Sequence, residues 1–204
     1  MNAFSLVVFD LGNVLLRVAD SWEIACAKAG VALARGDFQR HHNLICAFET
    51  GTLDEAAYVE RAAECFDGVT PAQFAAVFDA WLMDPFPGAA DLVRSLKSRG
   101  LRTACLSNTN ARHWRAILAN PSPYAAVHLL DHHFASHEIG HAKPAPDAYR
   151  HVERATGIPP AQIVFFDDRP ENVDAARALG WQAHLIDPRH DGAEQARRVL
   201  DEAL

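Results

Sequence analysis

Three aspartates stand where two apolar segments of the chain end, and their placement is the first sign of chemistry. The run Phe4-Ser5-Leu6-Val7-Val8-Phe9 stops at Asp10, and Ile163-Val164-Phe165-Phe166 stops at Asp167 and Asp168. Unbroken apolar runs rich in Val, Ile and Phe suit strands buried on both faces of a parallel sheet. Carboxylates at the carboxyl ends of such strands lie where open α/β sheets place their ligands. Three acids converging there repel one another unless a cation joins them, so the pattern points to a metal-dependent site.

The elements that must position these acids follow from periodicity. Gly12-Asn13 forms a turn into a short apolar piece, residues 14–18. From Asp20 to about Met83 apolar residues recur at helical intervals, among them Trp22, Ile24, Ala25 and Ala29, and later Phe74, Val77, Phe78 and Trp81. Asp54 and Thr70 read as helix N-caps, with Pro71 at a first helical position. No strand is expected in this block, which reads as a small all-helical insertion closed by Asp84-Pro85-Phe86-Pro87-Gly88. Helices are then expected near 89–99, 111–118, 146–156, 170–179 and from Gly192, alternating with strands near 101–106, 133–136, 162–166 and 182–186. The expected fold is α/β, a doubly wound parallel sheet. Residues 1–16 and 86–204 form its catalytic core, and 17–85 form a helical cap inserted after the first strand.

Four short motifs fall in order near strand ends: Asp10-Leu11-Gly12-Asn13-Val14, Leu106-Ser107-Asn108-Thr109, Lys143-Pro144, and Asp167-Asp168 followed by Asn172. This ordered set resembles the haloacid dehalogenase superfamily, most of whose members are phosphatases, over nearly the whole chain. The insertion is similar to that family's cap, and the Asp-Leu-Gly-Asn start resembles a branch of sugar-phosphate phosphatases. The resemblance implies a Rossmann-like core and Mg²⁺-dependent hydrolysis of a small phosphorylated metabolite through an aspartyl-phosphate. It makes Asp10 the nucleophile and a metal ligand, joined by the Gly12 backbone carbonyl, by Asp168 directly and by Asp167 directly or through water. Hard carboxylate oxygens suit Mg²⁺. The Ser107 hydroxyl and the Asn108 N–H are expected to hold phosphate oxygens, and Lys143 to balance both phosphate and Asp10. Asn172 is expected to support the acids by packing rather than to bind metal.

One position departs from the family pattern. Most phosphatases of the superfamily carry a second aspartate two residues after the nucleophile, acting as general acid and base; here Gly12 stands there. A positioned acid contributes about 10²- to 10⁴-fold, so its loss slows attack on ordinary alkyl phosphates. A substrate with a good leaving group, such as a sugar 1-phosphate, is the favoured answer. An acid from the cap, with His41 or His42 nearest, is a second, and a slow or inactive binding relative is a third. Metal-independent 2-haloacid dehalogenases also lack that aspartate, but they do not need adjacent acids at the fourth motif, so Asp167-Asp168 argues for Mg²⁺. A mutase or phosphotransferase shares the first half-step.

Other polar residues carry weaker signals. Arg112 and Arg115 could face substrate and Arg169 could bridge to the acid pair, but either is more often a surface ion pair; Arg17, at the entrance to the cap, is the better candidate for substrate contact. His133, His137 and His141 are spaced by four, which on a helix would suit zinc; Phe134-Ala135-Ser136 reads as strand and Gly140 interrupts, so a solvated loop is expected instead.

Composition narrows the class. The chain has 204 residues, half of them hydrophobic, enough for a full core. A net charge of -7 with no basic run excludes a nucleic-acid partner. The apolar stretch 6–16 is interrupted by Asp10 and Asn13, so neither a signal peptide nor a membrane span is expected. Cys26, Cys46, Cys65 and Cys105 form no close pair and read as reduced thiols of a cytoplasmic protein. Nothing in the pattern speaks to oligomeric state.

Overall fold

Strand and helix alternate to build one parallel sheet with the first strand at its middle. A computed structural model describes residues 4–203. The chain begins with β1 (Leu6–Phe9) and β2 (Leu16–Val18) and then enters four helices, α1 (Trp22–Ala29), α2 (Phe38–Glu49), α3 (Glu55–Ala63) and α4 (Pro71–Asp79). It returns through β3 (Leu82–Pro85), α5 (Ala89–Ser98), β4 (Arg102–Ser107), α6 (Ala111–Ala119), α7 (Ala125–Leu129), β5 (His132–Ala135) and α8 (Ser136–Ile139). It closes with α9 (Pro146–Thr156), β6 (Ile163–Asp167), α10 (Pro170–Ala178), β7 (Gln182–Leu185) and α11 (Gly192–Ala203).

The sheet order is β5-β4-β1-β6-β7, every pairing parallel. The chain winds outward from β1 through β4 to β5, then crosses to β6 and β7 on the other side. That reversal at β1 opens a crevice at the carboxyl ends of β1, β4 and β6. Leu6, Val7, Val8 and Phe9 are all completely buried. Val7 and Phe9 pack with Leu92, Val93, Val127 and Leu200 of α5, α7 and α11, while Leu6 and Val8 pack with Tyr149, Val152 and Trp181 on the opposite face. Burial on both faces is why the strand lacks polar alternation.

Helices α1 to α4 bury an aromatic centre of their own, with the Phe48 and Tyr58 rings stacked at 4.5 Å and Trp22 against Phe66 and Phe74. Asp54 accepts from the Ala57 N–H at the start of α3. Thr70 and Gln73 form a capping box at α4 with Pro71 following, as the sequence reading expects.

Two features differ from that reading. Residues 82–85 are not only a helix breaker: β3 pairs antiparallel with β2, Leu16 opposite Pro85 and Val18 opposite Leu82. A proline is tolerated on such an edge, and the helical block therefore starts and ends on one ribbon. The short helices α7 and α8 span too few residues to show a period, and α8 places His137 in a helical turn rather than a solvated loop. The arginines after the second motif take the commoner course and form ion pairs. Arg112 pairs with Asp79 of α4 and Glu55 of α3 at 2.5 and 2.8 Å, and Arg115 pairs with Glu55 at 2.9 Å. With His113 Nε2–H donating to the Phe78 carbonyl at 2.8 Å, they tie the helical block to α6. Arg17 lies over the Phe86 ring, 5.3 Å from its centre, beside the ribbon.

Candidate active site

Strand register brings the motif residues level. Phe9 is opposite both Cys105 and Phe166, and the Asp10 N–H donates to the Phe166 carbonyl at 2.8 Å. Asp10, Ser107 at the end of β4 and Asp167 at the end of β6 therefore emerge side by side. Oxygens of Asp10, Asp167 and Asp168 all lie within 4.8 Å of one another.

A single ammonium sits among them. Lys143 Nζ lies 2.9 Å from Asp10 Oδ1 and 2.6 Å from Asp167 Oδ2, with its side chain 1 % exposed. Burial alone would lower the lysine, but Asp10 and Asp167 outweigh it and hold it above its ordinary value. Burial pushes Asp10 well above the usual carboxylate range; Lys143 pulls it back, while Asp167 and Asp168 add to the rise. Asp168 is also raised by burial, against the hydrogen bond it accepts from Asn13. Three carboxylates against one buried ammonium leave the cluster short of positive charge, and its open donors are hard oxygens. The residues present therefore fit Mg²⁺.

The three acids are not equivalent. Asp167 is fully buried and accepts from Lys143, from Asn172 Nδ2 at 3.0 Å on each oxygen, and from the Arg169 N–H at 2.9 Å. Those donors use its acceptor positions. Among the described residues no side chain occupies one oxygen each of Asp10 and Asp168, which leaves these two carboxylates able to ligate a cation. Asn172 supports Asp167, and Tyr149 Oη–H holds the Asn172 carbonyl at 2.8 Å.

The remaining motif residues converge on the same crevice. The Asn108 side chain clamps the Lys143 backbone both ways, donating to its carbonyl and accepting from its N–H at 2.8 Å each. Asn108 thus positions the lysine as well as offering a backbone N–H. Ser107 and Asn108 line a cavity of about 480 Å³ together with Asp10, Gly12, Lys143 and Asp168. Gly12 does not need to be glycine for space: a Cβ there would meet Val18 at 3.6 Å and Asp10 Oδ2 at 4.0 Å, ordinary contacts.

His41 is not a ready acid. His41 Nε2 lies 2.9 Å from the Tyr58 hydroxyl, and burial pulls the ring down to about 4, so it is neutral near pH 7. His42 lines the cavity beside Cys46 Sγ, 3.6 Å from its Nε2. The Arg169 side chain pairs with Glu171 at 2.8 Å, so only the backbone N–H of this cavity-lining residue reaches the acid pair. The downstream histidines make no zinc site: His133 Nε2–H donates to the Val127 carbonyl, and the aspartate cluster is the metal-capable group among the described residues.

The sequence marks Asn13 only as a turn and motif residue and does not single out Glu49. Asn13 adopts a left-handed conformation, φ 56°, and orients Asp168 through its side chain at 2.9 Å. Gly192 at the start of α11 packs so closely on this turn that a Cβ would lie 2.3 Å from the Asn13 carbonyl oxygen. Glu49, the last residue of α2, faces the cavity from the helical block, and burial raises its carboxyl to about 7. An Asn after the motif glycine is a readable signal for a left-handed turn; a lone glutamate at the end of a helix is not.

Comparison with known proteins follows this geometry. Residues 4–180 match the haloacid dehalogenase-like hydrolase family. The chain belongs to that family. The phosphatase MT3486 of Mycobacterium tuberculosis is 35% identical over 104 residues, 50% of this chain and 46% of its own. D-ribitol-5-phosphate phosphatase of Bacteroides thetaiotaomicron is 26% identical over 96% of this chain and 98% of its own. A family enzyme from the same organism, solved in complex with magnesium and inorganic phosphate, superposes with a TM-score of 0.76 at 23% identity, covering 94% of this chain and 98% of that one. Dehalogenases also occur among the relatives. The matches to several curated relatives span about half of those proteins' length. Among the described residues no helix is long and apolar enough to cross a membrane.

Proposed function

We propose that this chain is a Mg²⁺-dependent phosphatase that hydrolyses a small phosphomonoester through an aspartyl-phosphate on Asp10. The observation that carries the reading is the charge imbalance: three carboxylates within 4.8 Å share one buried ammonium. A haloacid dehalogenase does not need two adjacent acids at the fourth motif, whereas a metal-dependent phosphatase uses the second, Asp168, to hold its cation. Mg²⁺, when bound, supplies the compensating charge that lets a phosphate dianion approach. Asp10, Asp168 and the Gly12 carbonyl would hold it, and Asp167, whose oxygens are taken, would act on it only through water.

The chain's own residues divide the remaining work. Asp10 attacks phosphorus while Lys143 fixes its carboxylate and offsets charge on the phosphate. Ser107 Oγ–H and the Asn108 N–H donate to the equatorial oxygens, where charge concentrates in the transition state. Asp167, Asn172 and the Asn108 side chain keep Lys143 in place. Residues 17–85 serve as the cap and 1–16 with 86–204 as the core; Trp22, Phe38 and Trp81 of the cap give the crevice an aromatic wall. The similarity to a ribitol phosphate phosphatase supports a small phosphorylated metabolite. A sugar 1-phosphate remains the favoured ester because its leaving group asks least of the missing acid.

Phosphate release from sugar 1-phosphates, sugar 6-phosphates and p-nitrophenyl phosphate tests the reading, each with Mg²⁺, with EDTA and with Asp10→Asn. Release that needs Mg²⁺ and vanishes in Asp10→Asn is expected. Halide release from a 2-haloacid in EDTA, with no phosphate released from any ester, would instead identify a dehalogenase.

A further inference from the structure

Gly12 removes the usual proton donor from the nucleophile's own loop, and the helical block presents a carboxyl to the same cavity. Glu49 lies at the carboxyl end of α2 and lines the cavity that also holds Asp10, Ser107 and Lys143. Its surroundings give it no hydrogen-bond donor; they act on it through burial and through the charges of Arg169 and Lys143. Two histidines on the cavity wall are already engaged. His41 is tied to Tyr58, and His113 is held by the Phe78 carbonyl and Asn110.

This end of α2 is seated firmly on the core. Gly51 has φ 72° and lies so close to α8 that a Cβ would meet the His137 carbonyl oxygen at 2.5 Å. No side chain fits between them, so Glu49 is delivered to the cavity at a set depth.

We propose that Glu49 is the general acid and base of the reaction, acting from the cap in place of the aspartate absent at position 12. The role rests on the phosphatase reading above. In the first step Glu49 gives its proton to the ester oxygen as the P–O bond breaks, so an alcohol leaves and Asp10 carries the phosphoryl group. In the second, the Glu49 carboxylate takes a proton from water as the water oxygen attacks phosphorus. Phosphate leaves, the Asp10 carboxylate is restored, and Glu49 is protonated again. A carboxyl held near 7 by burial is suited to both directions. The charged and titratable groups around it are His42 and Cys46 on its own helix, Tyr58 of α3, and Asp10, Lys143, Asp168 and Arg169 of the core.

Glu49→Gln keeps the shape and removes the proton. First-turnover rates with Mg²⁺ on an alkyl phosphate and on p-nitrophenyl phosphate separate the possible roles, because the aryl group leaves without protonation. The variant is expected to slow the alkyl ester by about 10²- to 10⁴-fold while changing the aryl ester by less than about threefold. The fall of kcat/KM above about pH 7 is expected to disappear with it, because that limb reports loss of the Glu49 proton. Adding Gly12→Asp to Glu49→Gln is expected to recover part of the alkyl rate, which a folding defect would not allow. Equal losses on both esters, or a rise in KM with kcat unchanged, would overturn the role and make Glu49 a substrate-holding residue. Absence of release by the unmodified protein from every ester would overturn the phosphatase reading and this role together.

Discussion

Replacing the nucleophile should make the metal-free protein more stable. At an effective dielectric of about 20, each like-charge pair that Asp10 makes with Asp167 or Asp168, within 4.8 Å, costs about 3.5 kcal/mol or more. The pair with Lys143 at 2.9 Å returns about 6 kcal/mol. Repulsion thus slightly exceeds attraction even before the desolvation of a carboxylate whose side chain is 12 % exposed. Asn keeps the shape, its Oδ1 still accepts from Lys143, and its amide faces the remaining acids. Lys143 is not orphaned, because Asp167 stays 2.6 Å away. Asp10→Asn is therefore expected to stabilise the protein in EDTA by about 1–3 kcal/mol, or about 3–9 °C in Tm for a chain of this size. The sign of the pH dependence follows from Asp10 being raised in the folded state. Between its unfolded value near 4 and the raised folded value, the native wild type binds the extra proton, so its stability falls as pH rises through that window. The gap between variant and wild type should be absent near about pH 4 and full by about pH 8. Saturating Mg²⁺ should close or reverse it, because binding stabilises only the form with the intact ligand set. Thermal unfolding in EDTA and in Mg²⁺ across pH measures all of this. A variant less stable than wild type in EDTA at high pH, or a gap that ignores pH, would refute the charge reasoning.

Other substitutions separate the parts of the site. Asp167→Asn, which strips the saturated acid from Lys143, should cost about 3–5 kcal/mol, the opposite sign to Asp10→Asn, and a urea melt showing no loss would contradict its anchoring role. Asn13→Ala should weaken Mg²⁺ binding about 10- to 100-fold by releasing Asp168, read by calorimetric titration; unchanged affinity would place the metal elsewhere. Arg112→Ala should cost about 1–2 kcal/mol, discounted for a side chain 24 % exposed, and should raise hydrogen exchange in α3 and α4 if the arginine ties the helical block down. Exchange confined to α6 would argue against that tie.

What could be read from the sequence and what could not divides along physical lines. β1 and β6 are buried on both faces, so their unbroken apolar runs announced them, and the aspartates at their ends announced the crevice. Asp54 and Thr70 were readable because capping is local chemistry. The β2–β3 ribbon was not, since its strands are short and far apart in sequence, and nothing local marks Leu82 as the partner of Val18. Ser107, Asn108 and Lys143 fell where their motifs put them, but the Asn108 side chain gripping the Lys143 backbone is a tertiary contact no spacing reveals. The ranking of the acids was equally hidden: only the surrounding donors show that Asp167 is filled while Asp10 and Asp168 stay open. Arg112 and Glu49 make the same point in opposite senses. Each is a single charge on a helix with no pattern to mark it, and folding turns the first to an ion pair and the second to the cavity.

The covalent step is the centre of the proposed reaction, and trapping it is the most direct measurement. A radiolabelled phosphate ester would be mixed with the protein and Mg²⁺, quenched in acid within the first turnover, and the label mapped by peptide. A hydroxylamine-labile phosphoryl group on the peptide containing Asp10, absent from Asp10→Asn, is the expected result. Phosphate release with no label on the protein, or with label on any other residue, would contradict attack by Asp10.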